Sequence, residues 1–263
     1  MRIVRFSYGD PGSAALAFGV LVEEPGAGVP ERIAVIDGHP FGEISLTGAQ
    51  IPLAQARMLP PVLPSKVVAI GKNYADHARE MGGEPPAEPV MFLKPSTSVV
   101  GPGATIAYPS LSQHVDFEGE LAVVIGRLCR EVPLERAADV VLGYTCANDV
   151  TARDLQRADG QWSRAKGFDT FCPLGPWIET DLDPSDLAIS TAVNGVVKQD
   201  SRTSLLLHDV GELVAFVSNV MTLLPGDVIL TGTPAGVGPV VAGDQISVTI
   251  EGIGTLTNTV VAR

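Results

Sequence analysis

Cysteine is scarce. Cys129, Cys146 and Cys172 stand far apart, in neither a paired framework nor a C-x-x-C spacing. That excludes a disulfide scaffold and a thiolate metal site, and the expected compartment is reducing and cytoplasmic. Long apolar runs are also missing. No stretch approaches the roughly 20 residues that span a bilayer, and the opening "MRIVRFSYGD" has no signal-peptide core. No membrane association is expected. Positive charge is in short supply, with 18 Lys and Arg against 30 Asp and Glu and a net charge of −12. Nucleic acid and anionic membrane surfaces are therefore excluded as partners. A small anionic substrate is not, because a site can be locally positive on an acidic protein.

What is present is enough for a full core. Apolar residues make up 45% of 263 residues, and charged residues only 18%. The length suits one large domain, or one domain plus a small one. The 28 Gly and 21 Pro point to many turns and short strands.

Residues 1–60 read as a small N-terminal β domain: "RIVRFSY", "AALAFGVLVE" and "RIAVIDG" alternate or run apolar between Gly/Pro turns. "LPPVLP" breaks the pattern at residues 59–64, and a second domain is expected over 64–263. It opens with a buried strand, "KVVAIG". Asn73 and Asp76 then have capping-box spacing before a short helix, "NYADHAREMGG", stopped by Gly82. "PVMFLKPS" is a strand. "PLERAADVVLG" predicts a helix, and Thr151 with Asp154 predicts a capped helix over "VTARDLQRAD". Asn194-Gly195 marks a hairpin turn. Asp209 and Glu212 cap a helix whose Val210, Leu213, Val214, Val217, Val220, Met221 and Leu224 share a core face. Turn-strand units close the chain. The sum is a strand-rich α/β chain without regular βαβ rhythm, which favours a mixed-sheet roll or sandwich.

One stretch carries a chemical signal. In "HVDFEGELAVVIG", residues 121–125 read as a strand buried on both faces. The lead-in sets Asp116, Glu118 and Glu120 at every second position, which puts three carboxylates on one strand face. At about 7 Å and an effective dielectric near 20, neighbouring charges would repel by about 2–3 kcal/mol. Either that face is wet, with ordinary solvated acids, or something positive sits on it. With Asp149 packed alongside, Glu118, Glu120 and Asp149 would form an all-oxygen triad suited to a hard divalent cation such as Mg²⁺. Zinc is disfavoured, because no His or Cys adjoins the cluster.

"GKNYADHAREMG", "FLKPSTSVVGPG", "VDFEGELAVVIG", "GYTCANDVTARDLQ", "AKGFDTFCPLGPWI" and "ILTGTPAGVGP" occur in this order. Together they resemble the fumarylacetoacetate hydrolase family, over about residues 64–260. The resemblance implies a mixed β-roll and a homodimer. It implies Glu118, Glu120 and Asp149 as ligands of Mg²⁺ or Mn²⁺, a site that Ca²⁺ could also occupy. It further implies Arg153 and Gln156 as substrate contacts and Lys166 as stabiliser of an enolate oxygen; read from the residues themselves, Thr233 is the expected substrate contact in its Gly-rich turn, and Lys94 in "FLKPS" gives electrostatic support to substrate binding. Thr231 and Thr233 lie in a Gly-rich turn that could offer backbone N–H groups to an anion.

His77 and Glu80 are neighbours at i, i+3, and a carboxylate-held His is a general base. In the resembled family some members carry this pair on a mobile lid helix, where it activates water. The implied substrate is a small anionic 2-oxoacid. The expected activity is metal-dependent C–C bond hydrolysis of an acylpyruvate-like dicarboxylate. The alternative on the same scaffold is 2-hydroxyhepta-2,4-diene-1,7-dioate isomerase or oxaloacetate-type decarboxylase of aromatic-compound degradation.

Overall fold

A computed structural model describes residues 1–10, 12–23 and 30–263. Four antiparallel strands come first: β1 (Arg2–Tyr8), β2 (Ala15–Glu23), β3 (Pro30–Ile36) and β4 (Leu46–Pro52). Val4, Phe6, Leu21, Ile33 and Val35 give them a small apolar cluster of their own. They are not a separate sheet, however. β1 also pairs antiparallel with β14 (Cys172–Glu179), through Arg2 opposite Glu179 and Ile3 opposite Ile178.

The remaining strands and helices build around one strand. In chain order these are β5 (Arg57–Met58), β6 (Val67–Gly71), α1 (Ala75–Glu80), β7 (Val90–Lys94), β8 (Val99–Val100), β9 (Thr105–Tyr108), β10 (Val115–Phe117) and β11 (Gly119–Ile125). Then come β12 (Val141–Asn148), β13 (Thr151–Ala152), α2 (Arg153–Asp159), α3 (Ser163–Lys166), β14, β15 (Ala188–Val193), β16 (Val196–Arg202) and α4 (Val210–Val220). β17 (Val228–Leu230), β18 (Gly238–Val240), β19 (Gln245–Ile250) and β20 (Gly254–Ala262) finish the chain. The largest sheet runs β4-β3-β2-β1-β14-β12-β11-β17-β6-β7, and it is mixed because β17 pairs parallel with β6. A second sheet runs β16-β15-β19-β20-β9, and a third β13-β10-β18.

β11 lies near the middle of the large sheet, and every residue of it is buried. Leu121, Val123 and Ile125 pack on one side with α4 and the second sheet; Ala122 and Val124 pack on the other with β6, β14 and β17. That two-sided burial is why the run from 121 to 125 is continuously apolar rather than alternating. Leu213, Val214 and Val217 of α4 are fully buried against it, each contributing about 1.5–3 kcal/mol of apolar burial.

Several sequence expectations hold locally. Asp209 and Glu212 form a reciprocal capping box on α4. Asn194 (φ 51°) and Gly195 (φ 79°) adopt the paired left-handed backbone of a tight hairpin turn. Gly82, at φ 76°, stops α1.

Others need correction. Residues 134–140 form a 3₁₀ helix, not an α-helix, and bury only Ala137. α1 and α2 have no side-chain cap. Asn73 instead donates from Nδ2 to His208 O and Thr231 O, and Asp154 accepts from Ser112 Oγ and Gln113 N. Val220 and Leu224 are exposed, because α4 ends at Val220. The acidic stretch is not one strand but β10 and β11 with a break at Glu118. There Asn148 Oδ1 accepts from Glu118 N, and Asp149 N donates to Glu118 O.

Candidate active site

The break at Glu118 brings the end of β12 against the acidic stretch, and so Asp149 against Glu118. Oxygens of Glu118, Glu120 and Asp149 lie within 4.8 Å of one another, and all three residues are buried. The face is dry, and positive groups sit on it. Arg153, first residue of α2, donates from Nε to Asp116 Oδ2 (2.8 Å) and from Nη2 to Glu118 Oε1 (2.5 Å). Lys166, at the end of α3, donates to Glu118 Oε2 (2.8 Å) and Asp149 Oδ2 (2.6 Å). Lys94, at the end of β7, donates to Asp149 Oδ1 (2.5 Å). Asp116, Arg153, Glu118, Lys166, Asp149 and Lys94 thus alternate in sign along one buried path, which replaces the repulsion of bare acids by paired contacts.

Glu120 stands off that path. Its Oε2 accepts from Gly232 N at 2.7 Å, and among the described residues no cation is hydrogen-bonded to it. Burial, then Asp149 and Glu118, push its carboxyl well above the ordinary range. Burial would raise Glu118 as well, but Lys166, Arg153 and His77 hold it far below. Burial pulls the Lys166 ammonium down, and Asp149 and Glu118 more than offset this, so it stays charged. Three convergent, buried oxygen donors, one with no hydrogen-bonded cation among the described residues, fit a hard divalent ion such as Mg²⁺ or Mn²⁺.

These groups open onto a cavity of about 200 Å³ lined by Glu118, Glu120, Arg153, Lys166, His77 and Thr233, with Gln156 at its side. This is below the roughly 300–1,000 Å³ of drug-sized pockets, so a short acid suits it. His77, on α1, is buried, and its Nδ1 lies 3.1 Å from Glu80 Oε2. Glu80 also accepts from Gly236 N at 3.0 Å, which ties α1 to the loop after β17. With Nδ1–H directed at Glu80, Nε2 is the nitrogen with a free lone pair.

Three expected contacts are placed differently from the simple picture. Lys94 is fully buried behind Asp149 and does not line the cavity. Arg153 spends its donors on Asp116, Glu118 and, from Nη1, Gln156 Oε1 (2.6 Å). The Gly-rich turn does offer an N–H to an anion, but that anion is Glu120 of the same chain. Thr231 and Thr233 donate their hydroxyls to Leu121 O and Gly119 O.

Sequence reasoning missed several participants. Gln199, on β16, accepts from Gly119 N and donates to Thr233 Oγ1 and Pro234 O, clamping the acid-bearing strand to the Thr233 loop. Trp162 and Phe92 meet edge-to-face at 5.1 Å, and Lys166 Nζ lies 5.1 Å over the Phe92 ring. Trp162 also lines the cavity beside Gly71, where a Cβ would come within 2.6 Å of the indole. Lys72 and Arg157 are lining residues too. None of these carried a local sequence signal beyond its residue type.

Residues 66–261 match the family model described as fumarylacetoacetate (FAA) hydrolase C-terminal, and residues 1–61 match Rv2993c-like, N-terminal. The chain belongs to the fumarylacetoacetate hydrolase family. Among solved structures of this family, 5-carboxymethyl-2-hydroxymuconate delta-isomerase from Mycobacterium smegmatis is 56% identical. The match covers 100% of both chains with a TM-score of 0.92. Fumarylpyruvate hydrolase from Pseudomonas aeruginosa, in complex with Mn²⁺ and pyruvate, is 38% identical with a TM-score of 0.73, covering 79% of this chain and 92% of that one. The Rattus norvegicus mitochondrial oxaloacetate tautomerase Fahd2a is 44% identical over 80% of this chain and 71% of its own length. These fumarylacetoacetate hydrolase relatives are enzymes, and one structure holds a divalent metal. Among the described residues, no helix of this family member is long and apolar enough to cross a membrane.

Proposed function

We propose that this chain is a Mg²⁺- or Mn²⁺-dependent enzyme of enolate chemistry that hydrolyses a C–C bond in a small acylpyruvate-like dicarboxylic acid. The observation that carries the reading is one cavity lined by Glu118 and Glu120, whose oxygens converge with that of Asp149, and by His77, whose Nδ1 lies 3.1 Å from Glu80 Oε2. A divalent ion held by the triad would supply Lewis-acid stabilisation of negative charge on oxygen. The chain's own residues do the rest. Glu80 fixes the imidazole, and His77 Nε2 takes a proton from water. The hydroxide adds to the distal carbonyl, and the C–C bond breaks. The pyruvate enolate that leaves is met by Lys166, which has three N–H donors and spends two on Glu118 and Asp149. The imidazolium returns its proton to the enolate carbon, which closes the cycle.

The charge count supports a dianionic substrate. Asp116 and Lys94 add one charge of each sign to the triad, Arg153 and Lys166, so four carboxylates face three cations. A divalent ion tips that balance to positive.

A second reading has a specific observation in its favour: the full-length, 56% identical relative is an isomerase. The same dyad would then move a proton between carbon and oxygen, with no water added. The test is turnover of acetylpyruvate, oxaloacetate and 2-hydroxyhepta-2,4-diene-1,7-dioate by wild type and His77→Ala. Hydrolysis of acetylpyruvate that disappears in the variant supports the first reading. Enol–keto conversion without hydrolysis supports the second, decarboxylation without hydrolysis or enol–keto conversion counts against both, and a Mg²⁺-induced melting shift with no turnover of any oxoacid sinks both.

A further inference from the structure

The cavity has four cationic side chains in its lining: Lys72, Arg153, Arg157 and Lys166. They divide by depth. Arg153 and Lys166 are buried and committed to Asp116, Glu118 and Asp149. Lys72 and Arg157 are nearer solvent, and neither has a hydrogen-bond or ion-pair partner among the described residues. Arg157 lies one helical turn beyond Arg153 on α2, so the two share a helix face that runs from buried to exposed. Lys72 follows β6 directly, with φ at 59°, a backbone region that residues with a Cβ seldom adopt. Its Nζ reaches the turn that ends α1, where a Cβ on Gly83 would lie 3.2 Å from it. Two uncommitted cations on separate elements therefore border a cavity whose inner cations are already spent. On a chain of net charge −12, such a positive rim is a local exception that favours an incoming anion.

We propose that Lys72 and Arg157 form a subsite for the second, distal carboxylate of a dianionic 2-oxo acid, selecting dicarboxylates over monocarboxylates. The subsite rests on the enolate-chemistry reading for where the 2-oxo end of the ligand sits. It explains why the cavity needs free positive charge at its mouth when every inner cation is matched by a carboxylate.

The test uses two ligands of equal chain length that differ only in the distal carboxylate, 2-oxoglutarate and 2-oxopentanoate. Binding of each to the full chain in Mg²⁺ is measured by calorimetry. Wild type should prefer 2-oxoglutarate by about tenfold or more, the worth of one charge-assisted contact. The preference should fall to near unity in Lys72→Met/Arg157→Met and be largely restored in Lys72→Arg/Arg157→Lys. Arg157→Met alone, an exposed substitution, should lower it with an unchanged melting temperature. Equal binding of the two ligands by wild type, or a preference that survives the double substitution, overturns the subsite. Turnover of the oxoacids is measured separately. Preference without turnover leaves the subsite standing and sinks the reaction, whereas turnover without preference sinks the subsite alone.

Discussion

Glu120 offers the sharpest perturbation of the acid cluster. Glu118 and Asp149 each meet at least one cation within 2.8 Å, whereas among the described residues Glu120 is hydrogen-bonded only by the Gly232 N–H and feels Lys166 at longer range. A buried carboxylate without a directly paired cation costs free energy that a neutral isostere avoids. Glu120→Gln keeps the shape and retains an oxygen for Gly232 N. In EDTA the variant should therefore melt at or above the wild-type temperature, an unusual result for a fully buried substitution. In Mg²⁺ the order reverses. At about 100 times its dissociation constant, an ion bound only to the folded chain stabilises by about 2.7 kcal/mol. For a chain of this size that is roughly 5–11 °C, at about 2–4 °C per kcal/mol. Wild type should show that rise and the variant little of it. Calorimetric scans of both proteins with EDTA and across a Mg²⁺ series measure the difference. If the variant melts several degrees below wild type in EDTA, or if Mg²⁺ raises both equally, Glu120 is not the uncompensated ligand described above.

Two further perturbations probe the frame around the site. Asp227 is buried and accepts from Ser65 N and Oγ, Lys66 N and Nζ, and Leu224 N. Burial would raise its carboxyl, but Lys66, Ser65 and Leu224 hold it below the usual range. A lowered folded pKa stabilises above the unfolded value, and that contribution is lost as pH falls through the folded one. Asp227→Asn should then cost roughly 3 kcal/mol near pH 7. The deficit should narrow below about pH 4, as read from denaturant titrations at both pH values; a deficit that widens on acidification contradicts this. Gly119 sits between two triad carboxylates, and a Cβ there would fall 2.0 Å from Thr191 Oγ1 and 3.2 Å from Gln199 Oε1. Gly119→Ala should cost about 1–3 kcal/mol by overpacking and weaken Mg²⁺ binding in calorimetry. Unchanged stability and affinity would mean that β15 and β16 do not hold the acid strand in place.

Much of this was legible in the residues, for identifiable reasons. The period-two acids posed a problem of repulsion that only solvent or cations could solve. The structure solves it with Arg153, Lys166 and Lys94. The Asn194-Gly195 turn and the Asp209–Glu212 box are local devices, and local chemistry sufficed to read them. The two capping boxes that did not form had the right spacing, but their side chains serve distant partners. Asn73 holds the segment at His208, and Asp154 holds Ser112 and Gln113. Sequence spacing cannot register such a competitor 40 or more residues away. Lys72, Arg157, Trp162 and Gln199 were invisible for a related reason. Long-range packing, not local pattern, brings β6, α2 and α3 to one cavity and sets Gln199 of β16 behind its Thr233 wall. The paired fate of Arg153 was hidden as well: the family resemblance implied a substrate contact, whereas in the fold its donors are already engaged by Asp116, Glu118 and Gln156.

The central claim concerns an ion held by three carboxylates from two segments of the chain, and a Mn²⁺-soaked crystal with oxalate tests it most directly. The account predicts one anomalous-scattering peak about 2.1 Å from an oxygen of each of Glu118, Glu120 and Asp149, with oxalate in the adjoining cavity near Lys166. No peak at saturating Mn²⁺, with Lys166 still bridging Glu118 and Asp149 and Glu120 left alone, would contradict it.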